Sequence, residues 1–448
     1  AMAKTFASES LPRPRTSDGV FFDLPIVGLI VYPQGVELPL AILALAVVIA
    51  LLVRDRKGVV TGWLAALVAI ALSGGIAWAV GRMLSGPAVW SGLFATGITL
   101  LALSVTVACY AIAKRWSTPR GLHVGALIVW LAIALELAIR VPGISYLFTW
   151  PLLFAAAAAL LTRGREVADW ATAVVALLML VGFFYAVSVV MLGVAGTGAI
   201  ALGLAASLTA LLLSPLLELI AGNARWSGAL WLAGAGVALL IIAALTVRPS
   251  SDHPLRSALV YAENADSNDA WLGTLGSTDR WTREVIGDGN AQRAPVWTTR
   301  LLGSGNYFRG RTVERVSLGA PSATLVRDAV SGGVRRIVLR VKAPPGTTGL
   351  VMRARGAKVV ASSIDGRVVD TTRYRRRTRD WVMQYWAISD SGALVDLSVP
   401  AGAAIDFDLA ARRPGIPPIP SVRIPPRPPY VVPSQTGDVN IVYRQWRF

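Results

Sequence analysis

The sequence predicts a membrane α-helical bundle of about eight spans followed by an all-β, sandwich-like domain on the extracytoplasmic side. Three observations predict it. Before about Val247, apolar runs of about 17–25 residues follow one another closely, the length that crosses a hydrocarbon core of ~30 Å at 1.5 Å per residue. After it come about 200 residues that are polar, arginine-rich and alternate in hydropathy with a period of two. The composition, 54% hydrophobic and 15% charged over 448 residues, is too apolar for an average soluble protein. The expected domains are a linker and interfacial segment over 1–35, a polytopic domain over 36–247, a β-sandwich over 248–411 and a proline-rich extension over 412–448.

Residues 1–18 are polar and contain Pro12 and Pro14, so they read as a linker arriving from something upstream, with no cleavable signal peptide. Phe21 to Tyr32 is apolar but too short and too broken, by Asp23 and Pro25, to span, and reads as an interfacial segment. The span candidates are Val36–Val53, Val59–Val80, Trp90–Ala113, Gly121–Ile139, Ser145–Leu161, Ala171–Leu192, Gly198–Leu219 and Gly228–Thr246. Their glycines suit close helix packing in lipid. Trp90, Trp150, Trp226 and Trp231 fall near span ends, where an amphipathic indole anchors at the interface.

Loop charges set the orientation. Arg54, Arg56, Lys57, Lys114, Arg115, Arg120, Arg163, Arg165 and Arg225 lie in odd loops, against Arg82 and Arg140 in even ones. Positive loops stay cytoplasmic. The N-terminus and the C-terminal domain are therefore expected outside, in a periplasm or lumen, with a bacterial inner membrane as the setting. Glu136 is the carboxylate expected well inside a span, and Arg140, one turn later, can pair with it. As a functional element the pair would be an ion or proton relay; as a structural one it would snorkel at the outer end of the fourth span.

In the outer domain, Ile337, Leu339 and Val341 would face a core with Arg336, Arg340 and Lys342 outward. Val395, Leu397 and Val399 repeat the pattern, as do Ile405, Phe407 and Leu409 against Asp406 and Asp408. Asp365-Gly366 is a two-residue hairpin signal. Pro414 to Pro433 should run extended along the surface. Arg373, Arg375, Arg376, Arg377 and Arg379, interleaved with Tyr374 and Trp381, could bind an anionic polymer or lipid headgroups, or simply form a solvated loop paired with Asp370 and Asp380.

Composition argues against several chemistries. The net charge of +17 reads as topology signal and headgroup attraction, and no nucleic-acid motif accompanies it. Cys109 is the sole cysteine, so no internal disulfide can form. The two histidines, His123 and His253, are expected five crossings apart and cannot share a metal. No Gly-x-Ser-x-Gly elbow is present, and Gly303-Ser304-Gly305 lacks the third glycine of a phosphate loop. No catalytic, cofactor-binding or metal-binding residue is assigned.

Several segments together resemble a known family. Gly19 to Leu24 through Tyr32-Pro33, Ser257 to Asp266 with Ala270-Trp271, Asp279-Arg280-Trp281-Thr282, Gly415-Ile416-Pro417, Arg427-Pro428 and Asp438 are similar to membrane-anchored zinc exopeptidases of the vacuolar membrane protease and endoplasmic-reticulum metallopeptidase type. The resemblance covers nearly the whole chain, and its motifs are structural. It implies the helices and β-domain that follow an extracytoplasmic two-zinc peptidase domain in that family. Zinc is then expected only in a separate or missing peptidase domain, and no family catalytic residue has a counterpart here. The expected function is the non-catalytic, membrane-anchoring and substrate-positioning half of an aminopeptidase-like system. Its partners would be the lipid bilayer, a zinc peptidase domain or subunit, and peptide substrates, with no nucleic acid. The alternatives are a transporter or channel, or an envelope sensor or binding module with a basic outer domain.

Overall fold

The computed structural model of the chain describes residues 19–24, 28–84, 91–161, 198–215, 217, 226–275, 278–287, 292–293, 295, 297, 308–369, 380–434 and 437–448. The chain divides between Arg248 and Pro249 into two compact units.

The first unit opens with an antiparallel hairpin, β1 (Gly19–Leu24) and β2 (Gly28–Pro33). A 3-10 turn, Gln34–Val36, leads into α1 (Glu37–Arg54). Then follow α2 (Val59–Met83), α3 (Gly92–Ala113), α4 (Pro119–Arg140), α5 (Pro142–Leu161), α6 (Gly198–Leu212) and α7 (Ser227–Thr246). Six of these are long and apolar enough to cross a membrane among the described residues, and α6 is a shorter apolar helix. The expected span over 171–192 lies outside the described residues. The short Phe21 to Tyr32 stretch, expected as an interfacial segment, falls on these two paired strands, with 25–27 outside the described residues.

Helix starts follow local chemistry. Ser91 caps α3 by accepting from the Phe94 amide at 3.2 Å. Thr118 caps α4 by accepting from Gly121, with Pro119 in the first turn where its missing N–H does no harm. The bundle core centres on Trp130, Leu127, Leu152 and Leu208. Trp130 donates its indole N–H to the Leu208 carbonyl at 2.9 Å, so the largest buried ring carries no unpaired donor. At the charge-rich end, Ser117 and Thr118 donate to the carbonyls of Gly58 and Lys57, which joins the first and third loops. Arg54 donates to Ala159 and Leu160 there, closing open carbonyls at the C-terminus of α5.

The second unit contains β3 (Leu255–Arg256), β4 (Leu259–Asn264), β5 (Ala270–Leu275), α8 (Arg280–Ile286), β6 (Gln292–Arg293), β7 (Phe308–Val313), β8 (Ser322–Ser331), β9 (Val334–Lys342) and β10 (Gly349–Arg355). It continues with β11 (Ala361–Ile364), β12 (Arg367–Val368), β13 (Trp381–Trp386), β14 (Ala393–Pro400), β15 (Asp406–Pro414), β16 (Val431–Val432) and β17 (Val439–Arg447). One sheet has the order β13-β10-β15-β17-β4-β5-β7-β6, and a second has β12-β11-β14-β9-β8. The sheets meet through Ile337, Leu339 and Val341, Val395, Leu397 and Val399, facing Leu350, Met352, Phe407 and Leu409, all buried. The alternation expected for these strands is present. Asp365 and Gly366 both have positive φ, 49° and 77°, as the two-residue hairpin signal requires.

Three expectations need correction. The unit is β-rich rather than all-β, because Asp279 and Thr282 form a capping box that starts α8. The chain from 412 is not an outer extension: β17 lies inside the larger sheet, antiparallel to β15 and parallel to β4. Its Val439, Ile441 and Tyr443 alternate like any interior strand, but the proline-dense stretch before it hides the pattern. Asp408 does not face water either; it is fully buried.

Candidate functional site

Sequence reasoning placed the intramembrane charge at Glu136. Among the described residues of the helical unit, the fully buried carboxyl is instead Glu37, at the first position of α1. A helix N-terminus favours a carboxylate, since its first amides lack partners and the helix dipole is positive there. Glu37 Oε1 accepts from the Tyr32 hydroxyl, and Oε2 accepts from Ser145 Oγ at 2.5 Å. Trp150 donates its indole N–H to the Tyr32 oxygen at 3.2 Å. Burial, and then the bond to Glu37, push the Tyr32 hydroxyl above its ordinary pKa, so it remains a donor. Ser145 also reaches the Pro142 carbonyl at 2.9 Å, and Thr149 donates to the Ser145 carbonyl one turn back.

This clasp ties three segments that are separate in sequence: the hairpin through Tyr32, α1 through Glu37, and α5 through Ser145 and Trp150. No Lys or Arg among the described residues forms an ion pair with Glu37, whose oxygens are occupied by hydroxyl donors. Chemically it is a hydrogen-bond hub. Tyr32→Phe removes one donor from a buried carboxyl and should cost about 1–3 kcal/mol. Unfolding in detergent measures this; a Tyr32→Phe chain as stable as the parent would remove the hub from the account.

Other polar groups of the bundle are also used between helices. His123 is buried, with Nδ1 2.6 Å from Ser214 Oγ. Thr106 and Ser207 share a hydrogen bond of 3.0 Å, and Ser104 donates to the Ala229 carbonyl at 2.7 Å. Such clips link helices where lipid supplies no hydrophobic drive. Glu136 and Arg140 do pair, at 2.5 Å, but their side chains are 58% and 72% exposed on the surface of α4. Arg373, Arg375, Arg376, Arg377 and Arg379 lie outside the described residues. No group of three or more His, Cys, Asp or Glu is disposed to hold a metal ion among the described residues.

In the second unit, the residues that carried the resemblance converge. Arg427 donates to both oxygens of Asp438 at 2.6 Å and to the Ser257 carbonyl at 2.9 Å. Its guanidinium lies 4.2 Å over the Trp281 ring. Asp438 Oδ1 also accepts from the Leu259 amide, and its carbonyl accepts from Gly415 at 2.7 Å. Trp281 donates to the Pro425 carbonyl at 3.1 Å. Gly415 adopts φ 87°, where a side chain would be strained. Ser257, Trp281, Gly415, Arg427 and Asp438 thus form one latch that fastens the proline-dense segment to β4 and α8. A cleft of about 760 Å³ opens beside it, lined by Leu259, Trp281, Pro417, Ile419 and Ile424. The latch residues were legible only as weak, scattered motifs; their convergence is a property of the fold.

No family model matches the chain, and neither a curated protein nor a solved structure matches it. These comparisons give the resemblance to zinc exopeptidases no support.

Proposed function

We propose that this protein is a non-catalytic membrane anchor for a zinc exopeptidase, with a β-rich head that positions peptide substrates outside the cytoplasm. The observation that carries the reading is how the polar residues are employed. Glu37, His123, Thr106, Ser207, Arg427 and Asp438 all bond to other segments of this chain, as a scaffold requires. The clasp supports it further, because it fixes the chain entering α1 rigidly onto the bundle. The excess of positive charge in the loops around Arg54–Lys57 and Lys114–Arg120 supports an outward N-terminus and head.

The test is biochemical. Protein isolated from its own membrane in mild detergent should release N-terminal residues from peptides in a chelator-sensitive way. The chain freed of companions should not. Metal-dependent cleavage by the isolated chain, or none by the native preparation, overturns the proposal. Orientation is tested with Ser391→Cys in a Cys109→Ser background, which should react with an impermeant maleimide added outside intact cells; reaction only after lysis places the head in the cytosol.

A further inference from the structure

We infer that the β1–β2 hairpin is a lipid-contacting wedge, its outer face set into the headgroup–acyl boundary of the leaflet where α1 begins. Cross-strand register puts Val20 opposite Tyr32 and Phe21 opposite Val31, so alternate pairs look to opposite faces. The Val20 and Tyr32 face turns onto the bundle: Val20 is buried, and Tyr32 is held by Glu37 and Trp150. The other face shows Phe21 at 69% exposure, with Leu29 and Val31 at 63% each, and the register also places Asp23 on it, opposite Leu29 toward the turn. Three large apolar side chains on one face of a two-stranded hairpin are a poor surface to leave in water.

Position identifies what covers them. Gln34–Arg54 is a helical stretch of 21 residues, which at 1.5 Å per residue is ~31 Å and matches the hydrocarbon thickness. Its beginning therefore marks the edge of the hydrocarbon, and the hairpin, which ends at Pro33, immediately precedes it. The hairpin also rests against α5, whose first turns lie at the same edge. Val36, Ile139 and Ile144, at the start of α1, the end of α4 and the start of α5, are exposed as well, with the Glu136–Arg140 pair exposed on the same end of α4. Exposed apolar side chains on the hairpin and at these span ends fit acyl chains, and the Glu136–Arg140 pair fits the headgroups beside them. A protein partner would be expected to meet a local patch, and water a polar one. Interfacial elements with one apolar face bind membranes in this way. The inference rests on the spans alone and holds whether or not the chain anchors a peptidase.

The unaltered protein, in nanodiscs containing a phospholipid with a photoactivatable diazirine in the upper acyl chain, tests it. Irradiation and peptide mapping should place adducts within residues 19–33 at a yield comparable to α1 and at least tenfold above the head. Adducts on α1 with none on the hairpin would overturn it. A nitroxide at Phe21→Cys in a Cys109→Ser background gives a second reading. Greater accessibility to oxygen than to a nickel chelate is expected. The reverse means water, and spin–spin broadening between labelled chains means that a second copy covers the face; either result refutes the wedge.

Discussion

Asp408→Ala should destabilise the β-rich unit by about 3 kcal/mol, the low end of what removing one member of a buried ion pair costs. Asp408 Oδ2 accepts from Arg355 Nε at 2.8 Å, while Oδ1 accepts from Arg355 Nη2 at 3.1 Å and from the Tyr443 hydroxyl at 2.9 Å. The three side chains sit on adjacent strands β10, β15 and β17, so the carboxylate stitches the middle of the larger sheet. Its bond also raises the already high pKa of the Arg355 guanidinium. After truncation, the acidic partner left to Arg355 among the described residues is Asp406 at 3.9 Å, and the charge is left largely desolvated. Because the Arg355 side chain is 19% exposed, water recovers part of the loss. For a unit of this size, 3 kcal/mol corresponds to a fall of roughly 6–12 °C in melting temperature. Asp408→Asn keeps an acceptor for Tyr443 and should lose about half as much. Calorimetry of the full chain in detergent reads both; an Asp408→Ala chain melting with the parent would mean that the ion pair contributes nothing net.

Asp408 also shows where sequence reasoning stops. Alternation around Phe407 and Leu409 correctly places those two in the core between the sheets. The same alternation reads every intervening polar residue as solvated, because a period of two separates faces without saying what lies on the second one. Here the second face holds a buried ion pair, whose arginine is 53 residues distant in sequence. Glu37 fails to stand out for a related reason. A glutamate at a helix start is ordinary capping chemistry, and only the Ser145 partner, 108 residues away, makes it a hub. By contrast, the change of solvent near Val247, the strands around Ile337 and Val395, and the turn at Asp365-Gly366 rest on local pattern, and all appear close to where the pattern puts them.

Gly125→Val should strongly destabilise the helical unit. A side chain at Gly125 would begin 2.3 Å from the Trp63 amide nitrogen and 2.5 Å from the Val59 carbonyl. Gly62 faces Leu122 backbone atoms from 2.6 Å, and Gly121 faces the Lys57 carbonyl at 2.1 Å. Gly58, Gly62, Gly121 and Gly125 are spaced four apart on each side, so α2 and α4 touch backbone to backbone, as small residues permit in membranes. Overpacking commonly costs 1–3 kcal/mol when neighbouring side chains can yield, and backbone yields far less, so a loss at or beyond about 3 kcal/mol is expected. The helices would have to separate, and α4 also carries the Trp130 bond to Leu208 and the His123 bond to Ser214. Gly75→Val is the matched control. It lies on α2 with open space where its side chain would go, and in lipid the added methyls meet acyl chains, so its stability should stay within about 0.5 kcal/mol of the parent. Unfolding by a denaturing detergent, followed by circular dichroism, separates the two. Equal losses for both variants would show that helix propensity, not the crossing, sets the effect; no loss at Gly125 would show that the two helices do not meet there in the membrane.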